Sequence, residues 1–141
     1  MNSLAKPVSK LPDVGTTIFT VMSALASEQG ALNLSQGFPD FDGPEALLQA
    51  VIAHMRSGQN QYPPMAGVAA LREAIAAKVS DLYELACNAD TEITVTAGAT
   101  EALFCAIAAV AHAGDEVIVL DPAYDSYDPV IRLQGAVPVH V

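Results

Sequence analysis

Apolar residues recur at Ile18, Val21, Met22, Leu25 and Ala26, the three-and-four spacing that keeps one helix side apolar, and Gly30 stands where such a helix stops. Leu32 to Leu34 predicts a short strand. Ser35 to Pro44 reads SQGFPDFDGP, with two glycines and two prolines in ten positions, so an irregular loop is expected, with Pro44 placed to open the next helix. Helical spacing resumes over Glu45 to Arg56 through Leu47, Leu48, Val51, Ile52 and Met55, and Arg56 with Gly58 marks its end. A proline-broken connector, NQYPPMAG at Asn60 to Gly67, leads into a helix predicted over Val68 to Leu85. Val68, Leu71, Ile75, Val79 and Leu82 form its apolar stripe, and Arg72, Glu73, Lys78 and Asp81 fall on its solvated side.

The pattern then changes. The β-branched run Ile93 to Thr96 predicts a strand running into Ala97, Gly98, Ala99 and Thr100. Ala102 to Ala113 is apolar nearly all round, as in a helix enclosed on several sides, and Gly114 with Asp115 closes it before a second strand at Glu116 to Leu120. Strand, helix and strand within about 30 residues predict a βαβ unit, right-handed in nearly all sheets, and so an α/β fold. Tyr124 to Leu133 predicts a helix interrupted at Pro129, and Val137 to Val141 a further strand. Met1 to Thr16 has no apolar period and reads as an arm.

Composition narrows the function. Six basic against sixteen acidic residues leave a net charge of -10, a field that disfavours nucleic acid and anionic membranes as partners. The longest apolar run, Ala102 to Ala111, is about half of the roughly 20 residues that cross a bilayer. Pro7, Lys10, Pro12 and Asp13 break up the N-terminus, so no secretory signal is expected, and Cys87 and Cys105 form no disulfide framework; a reduced, cytoplasmic setting is expected. Charged residues make up 16% against the ~25% usual for soluble domains, which predicts an apolar face covered by a second copy or by the rest of a longer polypeptide. A sheet left one strand after a crossover points the same way.

Gly98, Ala99 and Thr100 lie where a strand meets a helix N-terminus, a place where backbone N–H groups and a hydroxyl can hold an anion, or where Thr100 merely caps the turn. Neither the dinucleotide fingerprint nor the Walker loop occurs. Beyond the second strand, DPAYDSY puts Tyr124 outside a strand's carboxyl end, able to stack on a planar ring or to cover the loop; Tyr127 has the weaker claim. His54, His112 and His140 lack zinc spacing and read as surface or core histidines, so no metal is expected. The carboxylates read as a solvated face, and Lys6, Lys10 and Lys78 lie in no context that would bury a Schiff-base lysine.

Four stretches in order, NLSQGFPDF at Asn33 to Phe41, QYPPMAGVAALREAI at Gln61 to Ile75, TVTAGATEALFCAI from Thr94 and GDEVIVLDPAYDSYDPVI at Gly114 to Ile131, resemble the N-terminal third of class I/II aminotransferases. The wording is most similar to the methionine aminotransferase and kynurenine/glutamine transaminase branch. The resemblance implies the fold type I α/β architecture in part only: arm and short helix over residues 1–30, a strand and substrate loop of the small domain over 31–45, and the start of the large domain, with its mostly parallel sheet and flanking helices, over 46–141. It implies pyridoxal 5'-phosphate as cofactor, its phosphate held by Ala99 and Thr100 with Gly98 permitting the turn. Tyr124 would stack on the cofactor ring and Tyr62 would reach the phosphate of the other subunit of a homodimer. Gly37 would touch the substrate carboxylate, and Ile18 and Phe19 would line the side-chain pocket.

The family's Schiff-base lysine, its pyridine aspartate and its carboxylate-clamping arginine match no position here, so the chain reads as an N-terminal fragment or a truncated product with no catalytic residue of its own. The activity implied for the whole enzyme is amino transfer from methionine or another large neutral amino acid to a 2-oxo acid, with the isolated chain inactive. The alternatives are a fold type I C–S β-lyase and a non-catalytic remnant that binds a partner or a phosphate ligand.

Overall fold

The computed structural model describes residues 7–37 and 39–141, so Met1 to Lys6 of the expected arm and Phe38 of the loop lie outside the described residues. The described residues form two compact units, one of residues 7–37 and 99–141, the other of residues 39–98.

In the first unit, α1 spans Ile18–Glu28, with the bounds that the apolar period and Gly30 predict. Thr17 caps it, its hydroxyl accepting the Thr20 N–H at 3.3 Å. The strand expected at Leu32 to Leu34 does not form. Asn33 instead turns the chain back on α1, its amide donating to Ser23 Oγ at 3.0 Å while its carbonyl accepts from the Ser35 N–H at 3.0 Å. Such local side-chain bonds compete with a ladder, and Leu32 and Leu34 remain exposed.

The same unit holds α4, Ala99–Val110, then β1, Glu116–Val119, α5, Tyr127–Leu133, and β2, Val137–His140. β1 and β2 pair in parallel, Glu116 opposite Val137 and Val119 opposite His140, so the βαβ unit observed is β1–α5–β2. Val119, Ile131 and Ala136 form its buried centre, with Ile107, Ala111, Val117 and Tyr127 packed around them. The arm is tied to this unit: Arg132 donates to both carboxylate oxygens of Asp13, at 2.6 and 2.8 Å. That bond holds Asp13 below the usual carboxylate range and pushes Arg132 up.

The expectation that the apolar helix after Gly98 is enclosed on several sides is corrected, because α4 carries no buried residue. α5 and β1 cover one side of it, and Val110 on another is 73% exposed.

The second unit carries α2, Glu45–Arg56, opened by Pro44 as predicted, and α3, Ala69–Tyr83, which ends where Glu84 turns left-handed at φ 54°. The strand predicted over Ile93 to Thr96 has a backbone bond to another segment, Val95 N–H to the Ala66 carbonyl at 3.0 Å, but no ladder among the described residues. A β-branched run prefers extended backbone, but a strand exists only against a neighbour. Arg72 departs from its expected solvated position: its side chain is only 11% exposed. It donates to the carbonyls of Gly67 and Ala89 and pairs with Asp90 at 3.3 Å, joining the connector before α3 to the turn after it. The apolar stripe of α2 is uncovered, with Leu47 at 59% and Met55 at 53% exposure. No described helix is long and apolar enough to cross a membrane.

Candidate functional site

Ala99 and Thr100 are the first two residues of α4, all exposed backbone positions at the amino end of a 12-residue helix. The first turn of any helix carries N–H groups without intrahelical partners, and the aligned peptide dipoles make that end favourable for an anion. Gly98, the residue before, has φ 90°, a conformation that side-chain-bearing residues avoid. Its N–H donates to the Thr96 carbonyl at 2.8 Å and its own carbonyl accepts from the Thr96 hydroxyl at 2.9 Å, which fixes the tight turn into the helix.

Tyr124 lies in the loop after β1, and its hydroxyl shares a 3.3 Å hydrogen bond with the Thr100 hydroxyl. The ring is therefore one hydrogen bond from the start of α4, and it keeps 43% of its surface exposed. Two aromatics hold it in place. Phe19 of α1 lies 6.5 Å away between ring centroids, tilted by 40°, and Tyr127 of α5 meets it edge-on at 5.9 Å and 77°. Tyr127 thus has a clear part in positioning the ring, which its three-residue spacing from Tyr124 could have suggested. Ile18 opens α1 beside Phe19 and is 59% exposed.

Gly37 is exposed, with open space where a Cβ would stand. Tyr62 belongs to the other unit, and 99% of its surface is free. An apolar cavity of about 510 Å³ opens beside Tyr124, lined by Ile107, Ile118, Leu120, Pro122 and Tyr127. Its walls offer no charged group, so this cavity does not favour an anion.

His140 is a surface histidine, as expected, and Asp121 and Asp128 are partly solvated as expected of the carboxylates, but the three are grouped. Nδ1 of His140 is 3.0 Å from Asp121 Oδ1 and Nε2 is 2.8 Å from Asp128 Oδ1. Hydrogen bonding to Asp121 first, and then to Asp128, raises the His140 pKa above its ordinary value. The sequence separations of 19 and 12 residues gave no hint of this grouping.

Comparison with known proteins follows the same residues. The pattern of the aminotransferase class I and II family matches residues 29–141. Methionine aminotransferase from Escherichia coli is 61% identical over 131 residues, covering 93% of this chain and 34% of its own length. A probable N-succinyldiaminopimelate aminotransferase from Mycobacterium tuberculosis is 48% identical over 129 residues, covering 92% of this chain and 32% of its own. A solved Escherichia coli structure identified as a methionine aminotransferase superposes with a TM-score of 0.92 at 58% identity, over 98% of this chain and 36% of the other. The chain therefore spans about a third of the length of the relatives it matches.

Proposed function

Because the chain belongs to the aminotransferase class I and II family, we propose that it supplies the phosphate-holding and ring-stacking part of a pyridoxal-phosphate-dependent enzyme that moves an amino group from methionine, or another large neutral amino acid, to a 2-oxo acid. The observation that carries this reading is the hydrogen bond between Thr100 and Tyr124 at the amino end of α4. A dianion and a flat ring joined by a short arm need donors and an aromatic face within one hydrogen bond of each other, and the donor set here fits that requirement.

Ala99 and Thr100 would hold the phosphate through backbone N–H groups and the hydroxyl, with Gly98 making the turn, and Tyr124 would lie against the ring. When bound, pyridoxal phosphate supplies the electron-accepting ring that carries an amino group between the two substrates. Phe19 and Tyr127 fix the angle at which Tyr124 meets that ring. Ile18 and Phe19 present apolar surface to a substrate side chain, in keeping with a large neutral amino acid. Gly37 would offer its backbone to the substrate carboxylate, and Tyr62 would reach a phosphate bound by the second subunit of a homodimer. Residues 46–141 would then form the first part of the cofactor-binding domain. Two free cysteines suit a cytoplasmic setting.

Lys10 and Lys78 are exposed and stand in no buried pocket, so the 141 residues alone are expected to bind phosphate without transferring amino groups. Intact mass of the native protein in its source cells is a first check, with a product about three times heavier expected from the one-third coverage of the relatives. That product should transaminate methionine with a 2-oxo acid acceptor; cleavage of a C–S bond with no amino transfer would favour a β-lyase. Thr100→Ala should weaken phosphate and cofactor binding by about 1 to 2 kcal/mol, the scale of one charge-assisted hydrogen bond, measured by calorimetric titration. Unchanged affinity would remove Thr100 from the cradle.

A further inference from the structure

Among the described residues, His140 is held by a carboxylate at each ring nitrogen, and the two carboxylates belong to different elements. Asp121 lies two residues past β1, while Asp128 is in the first turn of α5. An ionised carboxylate only accepts, so both contacts are hydrogen bonds only when both nitrogens carry protons. In the neutral ring one nitrogen turns a lone pair toward a carboxylate oxygen at 3.0 Å or closer, which is repulsive. All three side chains are partly open to water, at 43%, 53% and 40% exposure, so the proton can exchange without unfolding.

What the triad joins gives it consequence. The loop between Asp121 and Asp128 carries Tyr124, so His140 draws together both ends of the segment that presents the ring. The backbone already fixes one end, since Asp121 donates its N–H to the Val141 carbonyl at 2.9 Å. α5 already packs on the sheet through Ile131, so what the imidazole adds is a polar tie between Asp128, at the start of α5, and the end of β2. Among the other charges, Glu116 on β1 stands at the far end of the ladder, opposite Val137; on α5, Arg132 is bonded to Asp13 and also acts on Asp128 by charge; in the loop, Asp125 has one buried carboxylate oxygen; β2 itself holds no other titratable group, and Tyr127 is turned to Tyr124.

We propose that His140 is a positioning residue, a proton-operated latch that ties the start of α5 to the end of the sheet and so sets the pose of Tyr124. The latch is closed when the ring is a cation and opens when the proton leaves. Its sign follows from the raised pKa: stabilisation is complete below the ordinary imidazole value and is lost as pH rises through the higher value of the folded state.

The test is an NMR titration of the 141-residue chain, without cofactor, from about pH 5.5 to about pH 8.5, the range in which imidazole changes charge. Histidine and tyrosine rings carry the label, and Tyr124→Phe assigns the Tyr124 signal. The expected result is a His140 midpoint above that of a free imidazole, with the Tyr124 ring signal moving at the same midpoint. His140→Gln should lose that movement and leave Tyr124 at its high-pH position. His140→Lys, a cation throughout, should hold Tyr124 at its low-pH position and keep the contact if the glutamine variant fails to fold. A His140 midpoint at or below that of free imidazole, or a Tyr124 signal that ignores it, overturns the latch. The readout uses neither phosphate nor amino transfer, so its failure would leave the proposed cradle standing, and loss of the cradle would leave the latch.

Discussion

Replacing Ile131 by alanine should lower the stability of the β1–α5–β2 unit by about 3 to 4 kcal/mol, within the range for truncating a buried isoleucine. Ile131 is 1% exposed and is the largest fully buried side chain among the described residues. It sits on α5 between Val119 of β1 and Ala136 before β2, with Ile107 of α4 and Tyr127 against the same cluster. Small neighbours such as Ala111 and Ala136 cannot swing into the space, so the cavity would persist. Ile131→Val, which removes one methylene, should cost about 1 kcal/mol. Urea unfolding followed by far-ultraviolet circular dichroism checks both. A loss below 1 kcal/mol for the alanine variant would show that this cluster does not hold the unit together. The consequence reaches function, because Tyr127 leaves its packing partner and Tyr124 loses the edge contact that fixes its angle.

Gly67→Ala should destabilise the other unit by about 3 kcal/mol, from two sources that add at one atom. Gly67 has φ 97°, and a left-handed backbone costs a residue with a Cβ roughly 1 to 2 kcal/mol. A Cβ there would also stand 2.8 Å from both Cβ and Cγ2 of Val95, and overpacking of this kind costs about 1 to 3 kcal/mol. Neither can be relieved easily, since the Val95 N–H is bonded to the Ala66 carbonyl and Arg72 is bonded to that of Gly67. Exchange of the Val95 amide with deuterium is the direct readout and should quicken by about a hundredfold, as 3 kcal/mol implies. Gly58→Ala separates the sources: Gly58 has φ 85° but open space around a Cβ, so only the backbone cost should appear. Equal losses in the two variants would show that Val95 yields and that contact plays no part.

Local signals were readable where they decide structure locally. α1 and α2 occupy the residues that their apolar period, Gly30, Pro44 and Gly58 indicate, because caps and breakers act within one turn of the residue that carries them. The junction of Gly98 with Ala99 and Thr100 was legible for the same reason: a glycine turn followed by a helix start is a property of consecutive residues. Tyr124 was found by its place after a strand. Its packing against Phe19 was not, since Phe19 comes from a helix about a hundred positions earlier and meets the ring only after folding.

By itself, the sequence determined the helices, the two pairing strands, the anion-favouring end of α4 and the aminotransferase class I and II family to which these motifs belong. Tertiary structure decided the rest. Strand formation at residues 32–34 and 93–96 required neighbours that the described residues do not provide, and β-branching cannot supply a ladder. Arg72 looked solvated on a helical wheel, yet the connector before α3 and the turn after it each give its guanidinium a carbonyl, those of Gly67 and Ala89. Asp13 meets Arg132 across 119 positions, and His140 meets Asp121 and Asp128 across 19 and 12. Charge pairing acts over a few ångströms in space and leaves no period along the chain, so only the fold could place a doubly held imidazole at the sheet edge that carries Tyr124.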